Sequence, residues 1–301
     1  MGTARVLFVF LDGVGIGSSD PARNPFLLAR VPRLRALLGG SLPTLEEPEV
    51  AGERAVAFPL DACLDVPGTP QSGTGQTSLL TGENAARAFG RHFGPWTPVA
   101  LRPLLEERSL LRRALLAGHT TVFANAYPRS WPGEKGARRV AAPPLAALAA
   151  GLLTRHEEAL ERGEAVASEI DNEGWRVHLG HRQVPALAPA RAGANLARLA
   201  ARARLTLFAH YGTDYAGHRG GVAGAVTALE KVDAFLGGAL DALPPDALLV
   251  VASDHGNLEE LGGGHTRHPA LGLLAGEGAL EGRQGLRSLT DVAPAVLLWL
   301  D

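Results

Sequence analysis

Short apolar runs alternate along this chain with longer stretches of helical periodicity. Val6–Leu11 and Ala247–Ala252 are continuous apolar runs bounded by polar and glycine-rich residues. Runs of that length and content suit strands covered on both faces of a sheet. Thr120–Ala126, Leu205–His210, Leu271–Leu274 and a stretch near Arg54–Phe58 read as further strands. Between them, apolar positions recur at three- and four-residue spacing in Leu104–Ala117, which stops at Gly118, and in Ala190–Arg204 and Val222–Leu243. Ser288–Leu300 closes the chain as a helix with Ser288 or Thr290 as its cap. Asn24–Leu38 carries the same periodicity, divided by Pro32. The alternation predicts an α/β protein.

One segment breaks the rhythm. From Arg129 the pattern is interrupted by Pro132, Gly133 and Gly136, and Arg129, Lys135, Arg138 and Arg139 cluster. Pro144–Arg162 reads as an Ala/Leu helix, and Glu164–Gly180 as a hairpin turning at Asp171-Asn172-Glu173-Gly174. Residues 129–189 are therefore read as a small cap inserted over the sheet edge, with 1–128 and 190–301 forming the core. The arginines of the cap are placed to grip an anionic group of a substrate, or form a solvated basic surface.

The chemistry sits where the strands stop. In open α/β sheets, ligands bind beyond the carboxyl ends of the strands. Asp254 and His255 follow the Ala247–Ala252 run after one serine, an oxygen donor beside a nitrogen donor of the kind a Zn- or Mn-type cation takes. Asp12 follows the first run and opens the turn Asp12-Gly-Val-Gly-Ile-Gly17, whose glycine spacing is not that of a dinucleotide fingerprint. Asp214 and His218 lie four apart after Leu205–His210, a spacing that puts both on one face of a helical turn. His265 lies near a chain reversal in Gly262-Gly-Gly-His-Thr-Arg-His268. Each alone reads equally as a capping Asp or a packed His. In Thr69–Gly82, Pro70 and the glycines mark a turn and Gln76–Thr81 can begin a helix, which places Ser72 at or just before a helix N-terminus. Free N–H groups there favour an anion, so this serine is either an N-cap or a hydroxyl poised to attack phosphorus.

Composition narrows the class. The chain has 301 residues and a formal net charge of -2, which argues against an electrostatic role on nucleic acid or anionic membrane. Its one cysteine, Cys63, allows no internal disulfide and points to a reducing compartment. No run reaches the roughly 18 apolar residues of a membrane span, and Val6–Leu11 is too short for a signal peptide. The expectation is a soluble cytoplasmic protein.

Asp12, Asp214 and Asp254, delivered by separate strand ends with nearby histidines and a hydroxyl, supply donors enough for two cations. Two metals roughly 3.5–4 Å apart can clamp both oxygens of an in-line displacement, and a metal also activates a serine hydroxyl. The ordered set resembles the alkaline phosphatase superfamily, most closely cofactor-independent phosphoglycerate mutases, with phosphopentomutases near. The resemblance rests on Leu11-Asp12-Gly13-Val14-Gly15, on Asn24-Pro-Phe through Val31-Pro-Arg-Leu, on Asp214…Gly217-His218, on Asp254-His255-Gly256-Asn257, on His265-Thr266 and on Ser288-Leu-Thr-Asp-Val-Ala-Pro. Ser72-Gly-Thr-Gly-Gln-Thr-Ser-Leu-Leu-Thr-Gly82 aligns with the nucleophile segments of sulfatases and alkaline phosphatases, with Ser72 at the nucleophile position.

The resemblance implies a three-layer α/β sandwich with a mostly parallel central sheet and two divalent ions, Mn or Zn. Asp12, Ser72, Asp254 and His255 would hold one ion, and Asp214, His218 and His265 the other. Thr74 is a weaker nucleophile, and His268 reads as solvated rather than as a partner of the site. The mutases' inserted domain is much larger than the short insert here, and the serine segment lacks their Asn-Ser-Glu-Val-Gly-His pattern, with Gln71 where Asn would stand. Returning a phosphoryl group requires holding the acceptor, whereas hydrolysis by water needs less. The reading is a two-metal phosphatase or phosphotransferase acting through Ser72 on a small phosphorylated substrate. The alternatives are a mutase and a non-catalytic metal-binding module.

Overall fold

Strand β1 (Arg5–Leu11) lies inside a sheet ordered β2-β3-β7-β6-β1-β5-β4, with β2 at Val50–Ala51, β3 at Ala55–Leu60, β4 at Thr121–Phe123, β5 at Leu205–His210, β6 at Ala247–Ser253 and β7 at Ala270–Gly276. The computed structural model describes residues 5–133, 138–260, 262 and 264–301, so Lys135, Gly136 and Gly263 lie outside it. β6, β1, β5 and β4 are mutually parallel, as the apolar runs imply. The other half is antiparallel: β7 against β6, β3 against β7 and β2 against β3. The expected parallel arrangement thus holds for the half that carries the predicted chemistry, and the sheet as a whole is mixed. The physical reason is the connections. A parallel return needs a crossover of a dozen or more residues, usually helical. β2 and β3 are joined by a tight turn, and the described residues between β6 and β7 hold no helix.

The register fixes the site. Leu11 pairs with His210 on one side and Ser253 on the other, so three neighbouring parallel strands end level with one another. Alternate residues of β1 point to opposite faces. Val6, Phe8 and Phe10 pack with Leu79, Leu80, Leu105, Ala146 and Val296, while Leu7, Val9 and Leu11 pack with Leu34, Leu196, Leu229 and Phe235. Helices therefore cover both faces, giving the three-layer α/β sandwich. Full burial of one Phe or Leu contributes about 1.5–3 kcal/mol. Phe8, Phe10 and Phe208 are fully buried, so the strand ends are held by a large apolar interior rather than by their own loops.

Helices differ from the sequence reading where local polar chemistry intervenes. Leu104–Ala117 is two helices, Arg102–Arg108 and Leu110–Leu116. Between them Ser109 is extended, and its side chain accepts the Arg112 N–H as the second helix's cap. Pro144–Arg162 is also split, into Ala142–Ala149 and Glu157–Glu161. The expected hairpin in Glu164–Gly180 is absent. Val166 bridges Asn125 in parallel, and Glu173–Val177 is a short helix. Asp171 accepts the Glu173 N–H at 3.1 Å, which starts a helix where the sequence suggested a turn. The Ala142–Ala149 helix packs Leu145, Ala146 and Ala147 into the main apolar cluster, and Ala159, Leu160, Trp175 and Val184 share a smaller one. Among the described residues no helix is long and apolar enough to cross a membrane.

His210, the last residue of β5, is buried, with Nδ1 2.6 Å from the Ser168 carbonyl oxygen. Burial lowers its pKa to about 4. The unfolded chain takes up a proton near the ordinary histidine value of about 6.5 that the folded protein refuses until about pH 4. The stability held above that window is therefore lost as pH falls through it. Chemical denaturation at pH 7 and pH 4.5 should show His210→Gln losing less stability across the interval than the unsubstituted protein, by on the order of 2 kcal/mol.

Candidate metal centre and nucleophile

Asp12 steps off β1, Asp254 and His255 off β6, and Asp214 and His218 lie on the helix Gly212–Arg219 that begins just after β5. His265 arrives on the loop before β7, tied to the β6 loop by the Thr266 N–H donating to the Gly256 carbonyl at 2.9 Å. Ser72 is the first residue of the helix Ser72–Thr81. The structure brings the predicted side chains into two adjoining groups.

In the first group Asp12, Asp254 and His255 are all buried and offer one donor atom each within a small sphere. His255 Nε2 lies 3.4 Å from Asp12 Oδ1 and 3.5 Å from Asp254 Oδ2. Ser72 Oγ lies 2.9 Å from the same nitrogen. His255 Nδ1 faces the Gly256 carbonyl at 3.2 Å, a partner that fixes Nδ1 as the protonated nitrogen of the neutral ring and turns the Nε2 lone pair into the cluster. In the second group His218 Nε2 lies 3.4 Å from Asp214 Oδ2, and His265 Nε2 lies 3.4 Å from Asp214 Oδ1. The two Nε2 atoms are 3.0 Å apart. His265 Nδ1 faces the Pro70 carbonyl at 3.0 Å, which orients that ring in the same way. The groups touch: the His255 and His265 rings stack with centroids 3.9 Å apart. Gly13, at φ 66°, passes so close to Asp214 that a Cβ would meet its Oδ1 at 2.5 Å.

Both groups fit cations. Asp12 Oδ1 and Asp254 Oδ2 are buried with no hydrogen-bond partner among the described residues. Unpaired carboxylate oxygens in a dry cluster are costly unless a positive charge meets them. Burial, then the neighbouring Asp214 charge, pushes the Asp12 carboxyl well above its ordinary value. Burial, then Asp12, pushes Asp254 up to about 8. At Asp214 burial opposes ionisation, but its contacts with His265, His255 and the Asn257 amide outweigh it and hold the carboxyl at about 2. Asp214 is thus ionised at neutral pH, whereas the Asp12–Asp254 pair carries a proton that a cation must displace. Mixed carboxylate and imidazole donors suit Zn and Mn alike. Calorimetric titration with Mn or Zn at pH 7 in buffers of different ionisation enthalpy should therefore show about one proton or more released as the Asp12–Asp254–His255 group fills.

Several side chains take places the sequence did not give them. Gln76, one helical turn beyond Ser72, donates from Nε2 to Asp12 Oδ2 at 3.1 Å and accepts the Ala142 N–H on Oε1 at 3.3 Å. Its four-residue spacing from Ser72 was the available signal. Asn257 donates to Asp214 Oδ1 at 2.7 Å and to the Asp214 carbonyl at 3.1 Å. Glu259 is buried beneath the loops. Thr74 is occupied elsewhere: its hydroxyl accepts the Phe93 N–H at 3.1 Å and reaches the Gln71 carbonyl at 3.2 Å. His268, expected in solvent, lies with Nδ1 3.3 Å from Glu259 Oε1 and Nε2 3.4 Å from Glu260 Oε2, and Glu259 raises its pKa. Arg129 is paired with Glu158 at 2.6 Å, and Arg138 is exposed. Arg139 lies over the Trp96 ring, 5.1 Å from its centroid. The Trp96 carbonyl oxygen packs where a Cβ on Gly73 would lie, 2.1 Å away. Of the three arginines, Arg139 is therefore the one tied, through Trp96, to the Ser72–Thr81 helix.

Comparison with known proteins finds partial likenesses in sequence and a shared fold. Residues 194–300 match the family model of the Metalloenzyme superfamily. The fold matches alkaline phosphatase from the Antarctic bacterium TAB5 with a TM-score of 0.53 at 11% identity, covering 100% of this chain and 99% of that one. It matches the PH0037 protein from Pyrococcus horikoshii at 0.58 and 13% identity, covering 100% and 98%. The two solved structures share the fold of this chain, and the family-model match agrees with the metalloenzyme resemblance read from the sequence. Closer in sequence are the 2,3-bisphosphoglycerate-independent phosphoglycerate mutases of Rhodopirellula baltica, 41% identical over 95 residues, and of Aliivibrio fischeri, 36% identical over 97. Those matches cover 28% and 29% of this chain and only 17% and 19% of the mutases, so the chain matches less than a fifth of their length.

Proposed function

We propose that the protein is a two-metal-dependent phosphatase or phosphotransferase that acts on a small phosphorylated substrate through Ser72. The observation that carries this reading is the Ser72 hydroxyl at 2.9 Å from His255 Nε2, set at a helix start against two donor clusters on one sheet rim. Held by Asp12, Asp254 and His255 and by Asp214, His218 and His265, two divalent cations would supply the charge that acidifies the serine hydroxyl and offsets the phosphoryl oxygens. Gln76 fixes Asp12 by one oxygen and leaves the other to the cluster. Within the helix's first turn, the Thr74 N–H is spent on the Phe93 carbonyl and the Gly75 N–H on that of Gln71. Among the described residues the N–H groups of Ser72 and Gly73 donate to no backbone carbonyl, and we assign them to the substrate's anionic oxygens. Ser72 Oγ forms a bond to phosphorus as the bond to the leaving oxygen breaks, and that oxygen leaves as the alcohol after taking a proton. Water then cleaves the phosphoserine, releasing phosphate and restoring the hydroxyl.

We read residues 129–189 as a small cap and the protein as cytoplasmic, the latter on the strength of its single cysteine. Arg139, stacked on Trp96, is the cap residue placed to hold a second anionic group of the substrate. Arg139→Ala should raise KM about tenfold for a substrate with such a group and leave kcat near its original value in steady-state kinetics.

The test is a panel of phosphomonoesters, phosphodiesters and sulfate esters with Mn and Zn in turn. Metal-dependent release of phosphate from monoesters is the expected result. A metal-loaded protein inert to every member would favour the non-catalytic reading. A coupled assay with 3-phosphoglycerate decides the mutase reading, and formation of 2-phosphoglycerate would establish it over hydrolysis.

A further inference from the structure

Beneath both donor groups lies one buried carboxylate that the proposed chemistry does not use. Glu259 is 1% exposed. Its Oε2 accepts the Gly15 N–H at 2.9 Å and the Asn257 N–H at 2.8 Å. Its Oε1 accepts the Thr266 hydroxyl and faces His268 Nδ1 at 3.3 Å. Those contacts tie the loop that follows Asp12 to two stretches of the β6–β7 connection, the one with Asp254 and His255 and the one with His265. The helix that carries Asp214 and His218 is reached at one remove, because the Asn257 side chain holds Asp214 by its carboxylate and its carbonyl. The surrounding glycines are cut to this carboxylate. A Cβ at Gly15 would lie 2.5 Å from its carboxyl carbon, and one at Gly256 would lie 2.3 Å from Oε1. Burial works against the charge, but hydrogen bonds from His268, Thr266 and the backbone outweigh it and keep Glu259 ionised.

We propose that Glu259 is a positioning residue that couples the two metal sites, so that their donor loops are held in register by one shared anion. The proposal rests on the two donor groups being metal sites, not on the reaction they serve. Its physical basis is a matter of donors and acceptors. Four donors converge on two carboxylate oxygens, and an ionised carboxylate can accept all of them. Glutamine has the same shape, but its NH2 would face two donors whichever way it is turned. Charged partners behind metal-holding side chains typically change metal affinity 10–100-fold when removed.

The experiment is calorimetric titration of the metal-free full chain with Mn and with Zn, together with the visible spectrum of the Co-loaded protein and the melting temperature of the metal-free form. The unsubstituted protein should take up two ions. Glu259→Gln should weaken both by about tenfold or more and alter the Co spectrum. Asn257→Ala, which releases Asp214 alone, should weaken one ion and leave the other unchanged. Unchanged affinities and spectrum in Glu259→Gln, even with a lowered melting temperature, would overturn the proposal, as would weakening confined to one ion. Should Glu259→Gln fail to fold, His268→Gln removes the half-buried partner of Oε1 and must weaken both ions in the same direction, and no change there overturns the coupling. An unsubstituted protein that takes up no metal would overturn both the coupling and the proposed function. One that takes up two ions and hydrolyses nothing would overturn the proposed function alone.

Discussion

Ser72→Ala is expected to abolish phosphomonoester turnover, by about 10³-fold or more in kcat, while the protein still binds its metals. A loss of that size corresponds to about 4 kcal/mol of the activation barrier. It follows from the role assigned to one oxygen. Ser72 Oγ is buried, stands at the first position of the Ser72–Thr81 helix and faces His255 Nε2. Thr74, the other candidate hydroxyl, does not replace it, because it is held by the Phe93 N–H and the Gln71 carbonyl. The substitution removes one hydrogen bond, worth about 1 kcal/mol, and leaves the Asp12, Asp254 and His255 donors in place. Calorimetric metal titration beside a phosphate-release assay separates the two effects. Undiminished turnover would remove Ser72 from its role.

Asp254→Asn is expected to abolish metal-dependent turnover and, at the same time, to stabilise the metal-free protein. Burial and the Asp12 charge lift the Asp254 carboxyl from an ordinary value of 3.8 to about 8. With the folded pKa raised above the unfolded one, the folded state loses stability as pH rises through that window. Asparagine carries no charge at any pH and escapes the loss. Its carbonyl keeps the Gly13 N–H that Asp254 Oδ1 now accepts at 3.2 Å, and its NH2 takes the place of the unpartnered Oδ2 in a cluster where Asp12 Oδ1 also lacks a partner. At pH 8 with chelator, the variant should melt higher by several degrees, for a gain on the order of a few kcal/mol. In excess Mn or Zn the order should reverse, because only the unsubstituted protein gains stability from a full set of bound ions. Thermal melts of both proteins, with chelator and with metal, check the crossing.

Much of the site was legible because its chemistry is written beside its scaffold. Apolar runs without periodicity mark strands buried on both faces, and a charged residue at the end of such a run must emerge at the sheet rim. That argument located Asp12 and Asp254 directly, and the helical spacing of Asp214 and His218 located the second group. What was not legible depends on distance along the chain. Gln76 meets Asp12 across 64 residues, and Glu259 meets Gly15 across 244. Nothing in either local pattern announces the partner. His268 reads as solvated until the fold brings Glu259 beneath it. The arginines of residues 129–189 look alike in sequence, yet Arg129 is occupied by Glu158 and Arg139 stacks on Trp96. Which strands run antiparallel was not legible, because strand direction is set by the connections, and an apolar run carries no direction of its own.

The most direct measurement is anomalous diffraction from crystals grown with Mn or Zn, recorded at the metal's absorption edge. Two peaks are expected at the carboxyl rim of β1, β5 and β6, one among Asp12, Asp254 and His255 within reach of Ser72 Oγ, the other among Asp214, His218 and His265. A rim without anomalous density, or a single ion bound away from Ser72, would contradict the account.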